Sequence, residues 1–117
     1  MQLQGTDIRC FVYYKDRILQ RIAISEVLFL EASDNYVKFH TPKFYHLVRA
    51  TLTSALHILP ENQFVQIHRS IAISVEQLDT IAKEFVTLRS LPNRQLAVSK
   101  KFYPALINRL KIVQDGM

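Results

Sequence analysis

The fold is indicated first by residues 27–40, which read VLFLEASDNYVKFH. Residues 27–32 are apolar up to Glu31 and are typical of a strand in the centre of a sheet. Residues 33–35 predict a turn, because Ser, Asp and Asn side chains satisfy local backbone groups and tolerate a positive φ. Residues 36–40 alternate between polar and apolar side chains, which predicts the returning strand. The stretch is therefore a predicted β-hairpin with a buried first strand and a polar turn.

Short strands separated by turn signals continue on both sides of this hairpin. Before it, strands are predicted over residues 8–13 and 18–23, with a turn at 14–17. After it, the predicted strands are residues 44–48, 64–68, 71–74, 78–82, 85–89 and 95–98, with turns at 42–43 and 91–94.

Two short helices complete the prediction. Leu52, Ala55, Leu56 and Leu59 form one apolar stripe at helical spacing, with Thr51 as the N-cap and Pro60 after the last turn. A final helix is predicted to begin near Pro104, because proline is costly beyond the first turn of a helix. Residues 99–103 are then a separate turn.

Composition limits the class of protein. The 117 residues suit a single domain over residues 1–117, and a 49% hydrophobic content allows a packed core. Glycine occurs only at Gly5 and Gly116, which excludes a Gly-rich phosphate loop from the body of the chain. Cys10 is the only cysteine, and no apolar run is long enough to span a bilayer. These features predict an unexported protein of the reducing cytoplasm.

The positive charge is concentrated in the C-terminal two-thirds of the sequence. Residues 1–37 carry four Lys/Arg and five Asp/Glu, whereas residues 38–111 carry eleven and four, a balance of +7. Asp115 completes the net charge of +5. Such an excess is compatible with an ordinary solvated surface, but it also points to a polyanionic partner such as nucleic acid.

The histidines do not suggest a metal site. His40, His46, His57 and His68 form no HxxxH or HExxH pair, and no cysteine lies beside them. His40 and His46 flank one predicted hairpin, where they could approach each other, and a surface or polar-network role is favoured over metal binding, while His57 is expected in solvent. Neither a metal nor another cofactor is predicted.

Catalysis is a weaker interpretation. His68 and Ser70 bring an imidazole and a hydroxyl together, but no nucleophile elbow surrounds the serine and no acid follows at a triad position. Glu31 and Asp34 are close in sequence, yet paired carboxylates need a pocket that shifts their pKa values. We therefore expect no enzyme activity.

Three short segments combine cations with hydrogen-bonding side chains at predicted turns or strand ends. Arg and Lys can contact guanine edges or phosphates, and Asn can read adenine. A solvated loop is the alternative for each segment taken alone. The candidate contacts are Asn35, Tyr36 and Lys38, then His68, Arg69 and Ser70, and finally Lys100 and Lys101.

Four segments, in their order and spacing, resemble the LytTR family of bacterial DNA-binding domains. The resemblance covers about residues 22–112. The matching segments are VLFLEASDNYV at 27–37, VRATL at 48–52 running into Leu56 and Leu59, FVQIHRS at 64–70, and LAVSKK at 96–101.

This resemblance implies a mainly β fold, an elongated assembly of small antiparallel sheets with two or three short helices. It implies sequence-specific binding to double-stranded promoter DNA and transcriptional regulation in bacteria. Loops at strand ends would enter successive major grooves, with base-reading positions at Asn35–Tyr36, Arg69 and Lys100. Family members commonly follow a receiver domain in response regulators, and a second copy on a repeated site is left open.

Two positions depart from the family pattern. Ser74 stands where Asn is usual, and it is expected to cap the following turn. Lys100 stands where Arg is commoner, and lysine keeps the charge but loses the planar fork that pairs with guanine. The departures affect the target sequence more than the ability to bind DNA.

Two other classes of function stay open at this point. One is a protein-interaction module whose basic face binds an acidic partner, and the other is a small hydrolase that uses His68 and Ser70. Clustering of Arg69, Lys100 and the Asn35 turn on one face would favour DNA. A deep pocket around His68 would favour an enzyme, and a large exposed apolar patch would favour a protein partner.

The charge distribution generates a first prediction. Affinity for duplex DNA should fall steeply between about 50 and 200 mM salt, since Lys/Arg contacts to phosphates release counterions. Fluorescence anisotropy with a labelled duplex measures this slope. Equal affinity at both salt concentrations would count against a phosphate-contacting surface.

Overall fold

The computed structural model describes residues 9–113. Within them, ten strands form three antiparallel sheets, and the molecule is elongated, with extents of 55 × 34 × 25 Å. No helix of this part of the chain is long and apolar enough to cross a bilayer. The strands are β1 Cys10–Lys15, β2 Ile18–Ala23, β3 Phe29–Ser33, β4 Tyr36–His40, β5 Tyr45–Arg49, β6 Phe64–His68, β7 Ile71–Ser74, β8 Leu78–Ile81, β9 Phe85–Leu88 and β10 Leu91–Ala97, and the α-helices are α1 Leu52–Ile58 and α2 Tyr103–Asn108.

The predicted central hairpin is the middle of the largest sheet. This sheet has five strands in the order β5-β4-β3-β7-β6, so β3 is paired on both sides. Two 3-10 turns, Ile24–Glu26 and Val75–Gln77, join the sheet to its neighbours. Because side chains alternate along each strand, the sheet has two faces, and both carry apolar residues that must be covered.

One face, called here the hairpin face, carries Leu30, Val37 and Phe39 and is covered by the β1–β2 hairpin and α1. Phe11 of β1 packs against Phe39 with ring centroids 5.0 Å apart. The helix begins where predicted, since Thr51 and Ser54 form a capping box. The buried residues of this core are Ile22, Ile24, Val27, Leu30, Val37, Phe39, Leu52, Ala55, Leu59, Phe64 and Ala72.

The other face, called here the β10 face, carries Phe29, Ile71 and Ile73 and is covered by the β8–β10 sheet and α2. Arg94 of β10 crosses to this face, where its guanidinium carbon lies 5.0 Å from the centre of the Phe29 ring. The His40 ring stacks on Phe29 at 4.1 Å. The buried residues of this core are Leu28, Phe29, Val65, Ile67, Ile71, Ile73, Val86, Leu88, Leu96, Val98 and Leu106.

The mainly β architecture of small antiparallel sheets with two α-helices confirms the predicted fold class, while several element boundaries differ. Tyr14 and Lys15, predicted in a turn, pair in β1, because the turn needs only Asp16 and Arg17, which both take positive φ. Residues 91–94, also predicted as a turn, belong to β10, and the reversal lies one step earlier at residues 89–90.

The start of the last helix agrees with prediction, whereas the role of Ser74 does not. The C-terminal helix starts at Tyr103, as the position of Pro104 requires. In the turn just before it, the Ser99 carbonyl accepts the N–H groups of Phe102 and Tyr103. Ser74 is buried, but its side chain makes no capping hydrogen bond, so the predicted capping role is wrong. Residue 8, predicted in the first strand, lies outside the described residues.

His40 and His46 do not approach each other. They lie on opposite faces of the central sheet, because His40 pairs with Tyr45 and His46 pairs with Phe39 in adjacent rows. His40 bonds Glu31 on the β10 face at 3.0 Å, and burial lowers its pKa against the opposing effect of that carboxylate. The polar-network role expected of His40 is therefore present, but without His46.

His46 instead attaches the β1–β2 hairpin to the sheet. The Tyr13 hydroxyl and the His46 Nδ1 are 3.0 Å apart, and the two rings meet edge to face. Burial raises the pKa of Tyr13 and lowers the pKa of His46, so it favours the neutral form of both side chains in this hydrogen bond.

Acid should therefore destabilise the domain. Because the pKa of His46 is below its usual 6.5 in the folded state, the unfolded state binds the proton more readily. Stability is fully present above pH 6.5 and is lost as the pH falls towards the lower folded-state pKa. Urea unfolding at pH 7.5 and 5.5 should show a smaller loss for His46→Phe than for the wild type. His57→Gln, on an exposed helix position, should keep the wild-type pH dependence, and an equal loss in all three proteins would contradict the role given to His46.

Candidate nucleic-acid interface

The first candidate segment is a two-residue turn between β3 and β4. Asp34 takes a φ of 54°, which closes the hairpin and leaves Asn35 exposed at the end of the sheet. The Asn35 carbonyl accepts the Ala50 N–H at 3.0 Å, so the end of β5 lies beside this turn. Tyr36 begins β4 directly opposite Arg49 and is 40% exposed.

The second candidate segment lies on the other side of the same turn. β7 runs antiparallel to β3, and the Ala32 N–H donates to the Ser70 carbonyl at 2.8 Å. The β6–β7 turn at Arg69 and Ser70 therefore sits at the same end of the sheet as Asn35. Arg69 is exposed at its tip.

The third candidate segment lies beside the end of β6, on the side away from β7. The Ser99 N–H donates to the Ile67 carbonyl at 3.0 Å, which holds the chain leaving β10 against the end of β6. Lys100 and Lys101 follow in an exposed turn, and the Lys101 ammonium lies 5.7 Å from the Phe102 ring centre. Segments separated by about thirty residues along the chain are thus neighbours in space.

These exposed side chains form one continuous row, called here the contact edge, at one end of the central sheet. From β5 to the Ser99 segment the row crosses five inter-strand steps, a length of ~24 Å at the usual strand spacing. The row contains four cationic side chains, and one carboxylate, Asp34, lies beside it, so the edge is positively charged. Its members are Asn35, Tyr36, Arg49, Arg69, Lys100 and Lys101.

Arg49 is a member that the sequence analysis missed. It was read only as the residue after a predicted strand, at the entry to the first helix. Its signal was available in the hairpin register, because a two-residue turn after Ser33 and the short β4–β5 connection place Arg49 opposite Tyr36. Within residues 9–113 the side chains of Arg49, Arg69 and Lys100 make no hydrogen bond or ion pair, so their charges are available to a ligand.

Two of the predicted contacts instead hold the second turn together. The Ser70 N–H donates to His68 Nδ1 at 3.1 Å, and the Ser70 hydroxyl lies 3.0 Å from the same nitrogen. A neutral His68 that accepts this N–H carries its proton on Nε2. Both side chains are half-buried, whereas Arg69 between them is exposed.

Gln66 braces this turn from inside β6. Its Nε2 donates to the carbonyls of His68 at 3.1 Å and Arg69 at 3.4 Å. Arg69 and Ser70 keep negative φ, which two-residue hairpin turns usually avoid, and a bulge lies between Gln66 and His68. The Gln66 amide therefore stabilises a turn geometry that β-pairing alone does not favour.

Lys38 is set back from the contact edge. It lies two residues inside β4 on the β10 face, with its ammonium 4.8 Å from the centre of the Tyr45 ring. The Glu31 carboxylate is on the same face and bonds His40, with Arg94 3.9 Å away. Lys38 thus lies on the β10 face, behind the contact edge, and is not a member of that edge.

The geometry around His68 does not support the hydrolase alternative. The imidazole nitrogen nearest Ser70 is already occupied by a backbone N–H, and no carboxylate within residues 9–113 orients the ring. Two grooves of the described chain lie elsewhere. One lies between Arg21 and Glu76 at the opposite end of the sheet, and the other lies between β1 and β5.

Comparison with known proteins identifies the family of this chain. Residues 17–111 match the family model of the LytTr DNA-binding domain. The chain belongs to the LytTr DNA-binding domain family. This membership assigns it to DNA-binding domains rather than to an enzyme family, and it confirms the resemblance of the four sequence segments.

Two individual matches extend the comparison. An uncharacterized response regulatory protein of Vibrio cholerae is 36% identical over 75 residues, which cover 61% of this chain and 29% of that protein. The chain thus spans less than a third of this relative. The LytTr DNA-binding domain of a Bacillus cereus protein described as a methyl-accepting/DNA response regulator superposes with a TM-score of 0.76. That match covers 91% of this chain and all of the other at 16% identity, and it shows the common fold.

The bracing of the Arg69 turn generates a prediction. Gln66→Leu keeps the side-chain size but removes both hydrogen bonds, so Arg69 should lose its fixed orientation. Discrimination between a specific and a scrambled duplex should fall between about fivefold and about thirtyfold, as ~1 kcal/mol per hydrogen bond gives for the loss of one or both bonds, while the salt slope stays unchanged. Gln95→Leu, at an exposed position on β10, is the matched control. Unchanged discrimination in a folded Gln66→Leu protein would remove the positioning role.

Proposed function

We propose that the contact edge binds double-stranded promoter DNA sequence-specifically, with its loops entering successive major grooves. One observation carries the proposal: three polar and basic segments, far apart in the sequence, lie in one row and are joined by backbone hydrogen bonds. The row of ~24 Å, lengthened by long side chains at both ends, is comparable to the ~34 Å helical repeat of DNA.

The edge side chains divide into two roles in this proposal. Asn35, Arg69 and Lys100 contact base edges, because each stands at the tip of a separate loop, and Arg in particular matches the O6 and N7 of guanine. Arg49, Tyr36 and Lys101 contact phosphates on either side, which fixes the register on the duplex. Successive residues of a turn point in different directions, so Lys100 and Lys101 do not reach the same groove floor.

His68, Ser70 and Lys38 support these contacts. His68 and Ser70 fix the turn that carries Arg69, and the Nε2–H of a neutral His68 is left to donate to a phosphate oxygen. Lys38 adds positive charge behind Tyr36 on the β10 face. These residues act on affinity more than on base preference.

The biological setting is also a proposal. The Vibrio cholerae relative carries the name of a response regulatory protein and is more than three times as long as the matched region. We propose that this domain, spanning residues 1–117, is the output unit of a bacterial transcriptional regulator in the cytoplasm, joined to or controlled by a receiver domain. Binding of two copies to a repeated site is compatible with a single contact edge per copy.

Duplex selection followed by alanine substitution tests the proposal. A duplex selected from a random pool and a scrambled duplex are compared by anisotropy at two salt concentrations. Arg69→Ala should lose ~1–3 kcal/mol of discrimination, the contribution of a bidentate arginine–guanine pair. Lys100→Ala should relax preference at a few base pairs, whereas Lys101→Ala should weaken both duplexes alike and lower the salt slope by about one unit.

Arg21→Ala is the matched control, because Arg21 is exposed at the opposite end of the sheet, where it lines a groove with Ser74 and Glu76. Its affinity and discrimination should stay at wild-type values. If no duplex is enriched, or if Arg69→Ala competes with random DNA as the wild type does, Arg69 is not a base-reading residue. Absence of binding to any duplex would favour the alternative of an acidic protein partner, whereas binding without base preference would leave only the phosphate contacts of the proposal.

A further inference from the structure

The central sheet has an open edge at β5. Among the strands of residues 9–113, β5 pairs only with β4, and its other side has no strand neighbour. An exposed strand edge presents unpaired N–H and C=O groups, and proteins usually protect such edges with charges, proline or bulges. Here the middle of the edge is Leu47, which is 47% exposed.

Two hydrogen bonds show which residues of β5 point outward. The Thr41 N–H donates to the Phe44 carbonyl at 2.8 Å, and the Ala50 N–H donates to the Asn35 carbonyl at 3.0 Å. Backbone direction alternates along an antiparallel strand, so the even-numbered residues of β5 bond β4. The N–H and C=O groups of Tyr45, Leu47 and Arg49 therefore point away from the sheet.

This edge is complementary to itself. An antiparallel pair centred on Leu47 brings the two Leu47 residues together on the two-fold axis. These two residues can exchange hydrogen bonds, because the N–H and C=O groups of Leu47 point away from the sheet. Tyr45 then stands opposite Arg49 of the partner subunit, a cation facing an aromatic ring, and no like charges are opposed. All six outward N–H groups, three from each copy, find a carbonyl.

The groove beside β5 fits the same arrangement. It has a volume of 590 Å³ and lies between the β1–β2 hairpin and the first half of β5, with Tyr13, Phe44 and His46 in its walls. In the self-paired register, Val48 of the partner subunit stands opposite His46 on the hairpin face. The 59% exposed Phe44 ring, one residue before β5, then lies at the margin of the paired strands.

We propose that β5 is the interface of a symmetric dimer, in which two copies of this chain join their five-stranded sheets into one ten-stranded sheet. The two-fold axis is perpendicular to the sheet, so the two contact edges face opposite directions. A five-residue ladder is small beside the interfaces of stable dimers, so the association is weak and depends on concentration.

Sedimentation velocity over a range of concentrations tests the dimer without DNA. The wild-type chain should shift towards the mass of a dimer as its concentration rises, and Leu47→Lys should stay monomeric, because two ammonium groups would meet on the axis. Leu19→Lys is the matched control on β2, where leucine is 54% exposed, and it should dimerise as the wild type does. A wild-type monomer at all concentrations, or equal dimerisation of both variants, would overturn the proposal.

Cysteine cross-linking in a Cys10→Ser background tests the register. With a short thiol cross-linker, Leu47→Cys should link to itself, and Tyr45→Cys should link to Arg49→Cys in a mixture. Tyr45→Cys alone should not link, since the two positions 45 are four residues apart along the strand, ~13 Å. Self-linking at position 45 with none at 47 would contradict the antiparallel pairing.

Discussion

The backbone ladders on both sides of β3 are the constraint on which the rest of the structure depends. β3 pairs with β4 over five residues and with β7 over three, and the β3–β7 ladder is the pairing of the central sheet that joins strands from the two halves of the described chain. Its apolar side chains alternate into the two cores, with Leu30 on the hairpin face and Phe29 on the β10 face. Its burial therefore joins the two packed layers into one domain.

This pairing also determines where the polar turns lie. In an antiparallel sheet the end of one strand lies beside the start of the next, so the turn after β3 and the turn before β7 meet at one end. The register is strict, because a slip of one residue would turn Lys38 into the hydrophobic core and Val37 out of it. The packing of the core thus sets the positions of Asn35 and Arg69 relative to each other, although neither residue belongs to the core.

The residues at the contact edge fall into two groups. One group holds the Arg69 turn in place, and the other carries charged side chains towards solvent. Gln66, His68 and Ser70 form hydrogen bonds with the turn, and the side chains of Arg49, Arg69 and Lys100 make no hydrogen bond or ion pair within residues 9–113. Rigid loops that carry unpaired arginine and lysine side chains lose little conformational freedom when a polyanion binds. The open edge of β5 lies next to this row, so one sheet offers two different surfaces at right angles.

The sequence by itself determined the strand pattern, the capped first helix, the start of the second helix at Pro104 and most of the edge residues, since periodicity, turn chemistry and proline act locally. It could not determine that residues 91–94 extend a strand, that His40 and His46 face opposite sides, or that Arg69 and Lys100 lie in one row with Arg49. Strand pairing between distant segments decides these features, because it fixes both the neighbour and the face of each residue. Strand pairing also explains the positions of two basic residues that lie near turns in the sequence. Lys38 is set back inside β4, and His68 is half-buried at the end of β6. Only the ladder of hydrogen bonds from Ala50 to Ser99 brings residues 35, 69 and 100 into one row.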